Sequence, residues 1–192
     1  MDLKRVCVYC SSSSSLDEAV EREIRVFGRE IARRGIGLVY GGSSRGLMGA
    51  VAQEALAGGG QVIGVIPKAL EGREAAHRGL TELRVVNTMH EREQMLFDLA
   101  DAFVGFPGGL GTIQEVIEML TWKQLGIHGK PIVLANIGGY FNPLLAQLDL
   151  AIQKKYARRE DRILLGVADN AASILTFLEG APVLSRKAGD WT

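Results

Sequence analysis

The stretch that most constrains this chain joins an apolar run to a glycine-rich turn and then to a helical pattern. Residues 102–106 are a continuous apolar run, and residues 107–112 contain three glycines, a proline and a threonine. Apolar residues then recur at helical spacing, at Ile113, Val116, Ile117 and Leu120. The stretch therefore predicts a strand, a tight turn and a helix. Glycines allow close approach to the backbone, and the N–H groups at a helix start attract anions, so we expect a phosphate ligand.

The same alternation of apolar runs and helical patterns continues along the chain. Predicted strands cover residues 3–9, 36–40, 61–66, 83–86, 102–106 and 131–136, with a last edge strand over 163–167. Apolar strands of this kind are expected where helices cover both faces of a sheet. The predicted fold class is α/β: a Rossmann-like, doubly wound parallel sheet of about six or seven strands with helices on both faces. We expect a single nucleotide-binding domain over residues 1–192, a surface loop over 67–79 and a loosely ordered tail from about residue 184.

Composition and charge argue against several classes of function. Lys plus Arg number 22, as do Asp plus Glu, so no net positive field favours nucleic acid or an acidic membrane. The chain shows no signal-peptide pattern and no apolar run of about 18 residues, so we expect a cytoplasmic protein. Cys7 and Cys10 form a C-x-x-C, but Cys7 falls inside a predicted strand, which does not favour redox chemistry. The histidines show no ligand spacing, so no metal site is predicted.

Three polar or glycine-rich turns follow predicted strands, over residues 10–15, 41–46 and 107–112. Parallel sheets bind ligands outside the carboxyl ends of their strands, so these turns are expected to share one edge. A helix that begins near Thr88 faces the same edge and brings Arg92 to it. The first turn lacks the G-x-G-x-x-G of dinucleotide-binding proteins, and neither glycine-rich turn continues as a Walker A sequence. The edge is therefore predicted to bind one phosphate and a nucleoside.

Glu115 allows two interpretations. A carboxylate beside a phosphate site is electrostatically unfavourable unless it has a chemical role. The spacing from Thr112 to Glu115 also fits a capping box, in which the glutamate only accepts the N–H of the cap residue. The pairs Thr88–Glu91 and Ser15–Glu18 fit the same motif. Arg92 alone is consistent with a solvated or ion-paired helix residue as well as with a catalytic one.

Taken together, these stretches resemble the LOG (Lonely Guy) family of cytokinin-activating phosphoribohydrolases, which are often mislabelled lysine decarboxylases. The resemblance runs from Val6 to about Phe177. Its most specific part is residues 107–115, which match the family's P-G-G-x-G-T-x-x-E throughout. Supporting stretches are residues 40–42, 46–49, 62–67, 121–128 and 130–131.

The chain also departs from the family pattern. The second signature, M-H-x-R-K, stands here as Met89-His90-Glu91-Arg92-Glu93, so a glutamate replaces the lysine. Ser11 and Ser43 stand where glycine is usual. The exchange at Glu93 removes a positive charge and adds a negative one near the expected phosphate–ribose site, which bears on substrate preference and rate more than on reaction class.

The resemblance implies hydrolysis of the N-glycosidic bond of a nucleoside 5′-monophosphate, which releases the base and ribose 5-phosphate. N6-modified adenosine monophosphates are the implied substrates, with AMP as a further one. Glu115 is then the catalytic carboxylate that stabilises oxocarbenium charge or activates water, and Arg92 orients ribose or phosphate oxygens. The implied phosphate-binding residues are Gly108, Gly109, Gly111 and Thr112. The nucleoside is implied to contact Ser12, Gly42 and Met89. No metal or other cofactor is implied.

Two other functions fit the same residues. Related folds that carry molybdenum cofactor keep a similar phosphate cradle without hydrolysis, and a general AMP nucleosidase needs no role in cytokinin production. The pairing of Arg92 with Glu115 argues against a carrier, which would not require it. The resemblance also implies a homodimer through helices beside the sheet, with residues 121–125 and the helix from Thr88 as interface pieces.

Overall fold

The computed structural model describes residues 3–13, 17–72 and 76–181, which form a parallel β-sheet covered by helices on both faces. The strands are β1 (Arg5–Tyr9), β2 (Gly37–Tyr40), β3 (Val62–Pro67), β4 (Glu82–Val86), β5 (Ala102–Gly105), β6 (Ile132–Ala135) and β7 (Gly166–Ala168). The α-helices are α1 (Glu18–Arg33), α2 (Gly46–Ala57), α3 (Met89–Leu99), α4 (Leu110–Gln124), α5 (Asn142–Gln153) and α6 (Ala171–Gly180). The predicted fold class and strand number are confirmed.

The strand order reverses direction at the centre of the sheet. The order is β4-β3-β2-β1-β5-β6-β7, and every neighbouring pair is parallel. The chain moves outward from β1 to β4, then returns to add β5 on the other side of β1. Tyr9 pairs with Gly105 at the ends of these two strands, so the loops that follow them start side by side. Open α/β sheets bind ligands at such a reversal.

Two apolar layers, one on each face, enclose the sheet. Val6 and Val8 of β1 belong to the layer that includes α1, α2 and α6, whereas Cys7 and Tyr9 belong to the layer under α3 and α4. Both faces of the central strands are buried, which explains why these strands are continuous apolar runs. Helix α5 differs from the others because none of its residues is buried.

The predicted last edge strand is present, but its predicted start at residue 163 is wrong. Residues Arg159–Leu164 form a 3₁₀ helix, and β7 begins only at Gly166. Asp161 holds this helix in place, because its carboxylate accepts hydrogen bonds from the Arg158 N–H (2.9 Å) and the Gln124 side chain (2.7 Å). An apolar run alone does not distinguish a strand from a short buried helix.

The start of α1 differs from the predicted capping box of Ser15 and Glu18. The predicted cap Ser15 lies outside the described residues, but α1 begins at Glu18, and the Asp17 carboxylate accepts the N–H groups of Ala19 and Val20. Glu18 is therefore the first helical residue rather than the third.

Thr88 does cap α3, since its hydroxyl accepts the Glu91 N–H (3.1 Å). The Glu91 carboxylate accepts the N–H of Asn87 (2.7 Å) rather than that of Thr88. In the described part of the predicted loop over 67–79, residues 68–72, 78 and 79 are turns, although Pro67 belongs to β3 and Ala76 forms an isolated bridge with Ser43. The tail from residue 184 lies outside the described residues, and within the described ranges no helix is long and apolar enough to cross a membrane.

Candidate active site

The loops after β1 and β5 are joined directly by backbone hydrogen bonds. The Ser11 N–H donates to the Pro107 carbonyl (3.2 Å), and the Phe106 N–H donates to the Tyr9 carbonyl (2.8 Å). The Met48 N–H at the start of α2 donates to the Ser11 carbonyl (3.3 Å). These bonds bring the turns after β1, β2 and β5 together at one edge of the sheet.

The glycine-rich turn before α4 is tightly packed. A Cβ atom at Gly108 would lie 2.2 Å from the Thr112 hydroxyl oxygen and 3.0 Å from the Ser11 nitrogen, so a side chain has no space there. The Tyr140 hydroxyl donates a hydrogen bond to the Gly108 carbonyl. Sequence reasoning missed Tyr140, although its turn follows β6 at the same edge of the sheet. These contacts hold the turn that leads into α4, and the first N–H groups of a helix have no acceptor within the helix itself.

The capping-box interpretation of Glu115 is wrong. Helix α4 begins at Leu110 with Gly109 as its N-cap, and the Ile113 N–H already donates to the Gly109 carbonyl (3.1 Å). Thr112 is therefore inside the helix rather than at its cap, and Glu115 lies about one and a half turns from the helix start. Glycines at 108 and 109 allow the helix to begin earlier than the threonine signal predicts.

A cleft of about 380 Å³ opens in front of this turn. It is lined by Cys10, Ser11, Ser12, Ser13, Met48, Arg92, Gly109, Gly111, Thr112 and Glu115. Six of the predicted site residues are in this list. Gly108 lies beneath them and lines a second cavity of about 410 Å³, which shares Ser11 and Gly109 with the cleft.

Arg92 and Glu115 face each other in the cleft and are almost completely buried. Their side chains approach to 4.0 Å, and the residues are 5% and 6% exposed. Within the described ranges, the Arg92 Nε–H has no hydrogen-bond partner. A buried donor without a partner is costly, so its persistence beside a cleft is consistent with a ligand group that it binds.

Gly41 provides the space for this arginine. A Cβ atom at position 41 would lie 2.2 Å from Arg92 Nη2 and 3.1 Å from the Met48 methyl group. Backbone and guanidinium therefore come into direct contact at the carboxyl end of β2. Gly41, the first residue after β2, therefore affects the cleft, whereas the residue predicted from the sequence was its neighbour Gly42.

Gly42 and Met89 are not among the residues that line the cleft in the described part of the chain. Gly42 adopts a φ of +79°, a backbone conformation that favours glycine over other residues. Its carbonyl accepts the N–H of His77 (2.9 Å). Met89 is the first residue of α3 and is 41% exposed. Their contacts with a nucleoside remain predictions.

Three further titratable side chains close to the sheet, those of Cys7, Cys10 and His128, are held in neutral forms. Burial raises the pKa of the Cys7 and Cys10 thiols, which disfavours the thiolates that redox and metal chemistry require. Burial lowers the pKa of His128 to about 4, and its ring is hydrogen-bonded to the Met119 carbonyl (2.9 Å). Within the described residues, no group of three or more His, Cys, Asp or Glu side chains could hold a metal ion.

Comparison with known proteins places the chain in a family. The family model described as "Possible lysine decarboxylase" matches residues 48–178. The chain is 42% identical over 176 residues to the cytokinin riboside 5′-monophosphate phosphoribohydrolase LOG of Oryza sativa subsp. japonica, which covers 92% of this chain and 73% of that protein. The chain belongs to the LOG family. LOG7 of Arabidopsis thaliana, named for the same activity, is 43% identical over 176 residues, which is 92% of this chain and 81% of that protein.

Solved structures share the fold of this LOG-family chain. The molybdenum cofactor carrier protein of Chlamydomonas reinhardtii aligns with a TM-score of 0.69 over 92% of this chain and 96% of its own, at 22% identity. The X-ray structure of a structural genomics target aligns with a TM-score of 0.69 at 26% identity, over 92% and 99% of the two chains. Identity at the level of the carrier protein establishes a common fold and no common function.

Proposed function

We propose that this LOG-family protein hydrolyses the N-glycosidic bond of nucleoside 5′-monophosphates and releases the base and ribose 5-phosphate. The preferred substrates are N6-modified adenosine monophosphates. One observation carries the proposal: a buried arginine–glutamate pair, Arg92 and Glu115, faces a cleft whose adjacent wall is a glycine-rich helix start. The relatives at 42% and 43% identity are named for this reaction.

Each group of residues has a separate role in the proposed reaction. The first N–H groups of α4 and the Thr112 hydroxyl hold the 5′-phosphate, which places the ribose deeper in the cleft. Departure of the base builds positive charge on the ribose, and the Glu115 carboxylate stabilises that charge and orients the attacking water. Arg92 binds ribose or phosphate oxygens with its planar guanidinium, and its charge offsets that of Glu115. Gly108, Gly109 and Gly111 keep side chains away from the phosphate.

A substrate assay tests the proposal against its two alternatives. The protein is incubated with AMP and with isopentenyladenosine monophosphate, and free base and ribose 5-phosphate are quantified by chromatography. We expect base release from both, with the higher kcat/KM for the isopentenyl substrate. Equal or higher efficiency with AMP would identify a general AMP nucleosidase. Absence of base from every monophosphate would contradict an enzyme and favour a carrier.

Gly41→Ala is a probe of the arginine that leaves the arginine in the chain. The added methyl group would overlap Arg92 Nη2, which lies at the end of a flexible side chain, so the guanidinium should move while the backbone stays in place. We expect kcat/KM to fall by about tenfold, since one charged hydrogen bond contributes about 1.5–3 kcal/mol. The melting temperature should change little.

The matched control for this variant is Gly180→Ala. Among the described residues, no atom lies within 4 Å of a Cβ atom at Gly180, and Gly180 is the last residue of α6, whose start follows β7 at the cleft edge of the sheet. The control should keep normal activity. Normal activity in Gly41→Ala would show that the position of the guanidinium does not matter for turnover.

We also infer a cytoplasmic homodimer. Helix α5 has no buried residue, and an apolar groove between α4 and α5 is lined in part by Ile117, Leu120, Leu148 and Ile152. Leu125 and Ile127, which follow α4, are 41% and 59% exposed. A second copy of the chain would cover these side chains. Light scattering of the purified protein measures the mass, and a monomer at micromolar concentration would contradict the inference.

A further inference from the structure

A polar contact joins α3 to α4 beside the Arg92–Glu115 pair. The Gln114 side-chain nitrogen Nε2 donates to Glu93 Oε1 (2.9 Å), which links the two helices, and to Glu118 Oε2 (2.6 Å) within α4. Glu93 follows Arg92 in α3, and Gln114 precedes Glu115 in α4. The contact therefore lies, in each helix, one residue away from the group proposed to carry the reaction.

The Gln114 amide suits this pair of acceptors. An ionised carboxylate has no proton to donate, whereas a side-chain NH₂ group carries two. One nitrogen therefore serves Glu93 and Glu118 at the same time, each through its own hydrogen. Hydrogen bonds to a charged acceptor are stronger than those between neutral groups, so the contact between the helices is more than incidental.

The Glu93 carboxylate depends on this donor. Glu93 is 8% exposed, so little solvent reaches its carboxylate, and no lysine or arginine nitrogen of the described residues lies within 4.0 Å of it. His90 Nδ1 approaches Oε2 to 3.8 Å, but this imidazole is 98% exposed and belongs to α3 itself. A buried charged group that loses its hydrogen-bond partner is destabilising. The bond from Gln114 therefore favours the arrangement in which α3 lies against α4.

The direction of the Glu93 side chain also differs from the prediction. The sequence predicts its negative charge near the phosphate–ribose site, but Glu93 is not among the residues that line the cleft in the described part of the chain. Consecutive residues of a helix do not face the same way. Arg92 approaches Glu115 (4.0 Å) at the cleft, whereas Glu93 meets Gln114. Two neighbouring contacts therefore connect the helices, one at the cleft and one outside its lining.

We propose that Gln114 is a positioning residue, whose amide fixes α3 against α4 and thereby keeps Arg92 opposite Glu115. The proposal rests on the proposed function, because Gln114 acts only through those two groups. The family signature has lysine, a hydrogen-bond donor, at position 93. In this chain Glu93 is an acceptor, and Gln114 supplies the donor from the facing helix.

Gln114→Glu reverses the contact. The exchange keeps the shape of the side chain but replaces the donor with a third carboxylate, which Glu93 and Glu118 repel. We expect kcat/KM to fall by about 10–100-fold, because a displacement of about 1 Å at a catalytic group can cost about 10²-fold. The melting temperature should fall by about 2–4 °C.

Gln114→Met is a second variant that removes both hydrogen bonds without adding a charge, so the test does not depend on the folding of the charged variant. It should lower kcat/KM in the same direction and by a smaller factor. Wild-type kcat/KM in Gln114→Met, or in a folded Gln114→Glu, would overturn the proposal.

Glu93→Lys tests the contact by rescue. When it is combined with Gln114→Glu, lysine at position 93 faces carboxylates at positions 114 and 118, so the attraction between the helices is restored. The wild type, the two single variants and the double variant form a double-mutant cycle. We expect Gln114→Glu to lower kcat/KM strongly when position 93 is glutamate and by less than about threefold when it is lysine. Equal fold-changes in the two backgrounds would overturn the proposal.

Gln94→Glu is the matched control. Gln94 Nε2 donates to Asp98 Oδ1 (2.8 Å), four residues further along α3. The same exchange therefore places two carboxylates side by side at this position too, but within one helix. We expect steady-state kinetics like those of the wild type. A loss of kcat/KM as large as that of Gln114→Glu would assign the effect to added charge rather than to the contact between the helices, and would overturn the proposal.

The melting temperatures of the four proteins in the cycle need no substrate and separate the two proposals. If no monophosphate is hydrolysed but lysine at position 93 restores the melting temperature of Gln114→Glu, the helix contact stands and its positioning role falls with the reaction. If the wild type releases base but kcat/KM shows no coupling between positions 93 and 114, the reaction stands and the positioning role of Gln114 is wrong.

Discussion

Glu115→Gln should lower kcat by about 10²–10⁴-fold and leave the fold intact. Glutamine has the shape of glutamate but no charge, so it cannot stabilise positive charge on the ribose or accept a proton from water. The helix start does not depend on Glu115, because Gly109 provides the N-cap of α4. The effect should therefore appear in kcat, while KM and the melting temperature stay close to their wild-type values.

Glu91→Gln is the matched control for this substitution. Glu91 also lies in the first half of a helix at the same edge of the sheet, but it is exposed and its carboxylate only accepts the Asn87 N–H. We expect steady-state kinetics of the control to resemble those of the wild type. Near-normal kcat in Glu115→Gln, with a correctly folded protein by circular dichroism, would refute the catalytic role.

Arg92→Gln should have the second-largest effect, with a different kinetic signature. It removes the positive charge and the planar donor fork that we propose for ribose or phosphate oxygens. We expect kcat/KM to fall by about 10–100-fold, mainly through a higher KM, because charged hydrogen bonds contribute about 1.5–3 kcal/mol. The free energy of unfolding should also decrease, since the buried Glu115 carboxylate loses the guanidinium 4.0 Å away.

Arg92→Lys separates charge from geometry. Lysine keeps the positive charge but presents one ammonium group in place of a rigid fork. We expect it to recover stability more fully than kcat/KM. Full recovery of kcat/KM by lysine would mean that the charge alone matters, and a loss confined to kcat in Arg92→Gln would contradict a role in binding. Initial-rate kinetics and chemical denaturation measure the two quantities.

Local patterns predicted most of the architecture. Continuous apolar runs and helical spacing predict β1 to β6 and the α-helices within a few residues, because both signals depend on which faces of an element are buried. The same signal placed the start of the last strand too early, since residues around Asp161 form a short helix held by a side-chain hydrogen bond from Gln124 of α4. A contact between distant parts of the chain leaves no local pattern.

Part of the candidate site can also be predicted from the sequence, and part of it depends on packing. Glycines at 108, 109 and 111 and the glutamate at 115 are visible as a motif, and the alternation of strands and helices places them at the carboxyl edge of a parallel sheet. The motif cannot decide whether Glu115 caps a helix or faces a ligand. That choice depends on where α4 begins, which is set by the packing of Gly108 against Thr112 and Ser11.

The sequence by itself determined the fold class, the edge of the sheet at which the candidate site lies and the family. These follow from local periodicity, from the position of turns after strands and from a contiguous motif. Only the tertiary structure decided that Gly41 makes space for Arg92, that Tyr140 bonds the glycine-rich turn before α4 and that Gln114 links Glu93 to Glu118. Each of these contacts joins residues far apart in the chain, so its existence depends on how the helices and strands pack and not on the pattern of any one segment.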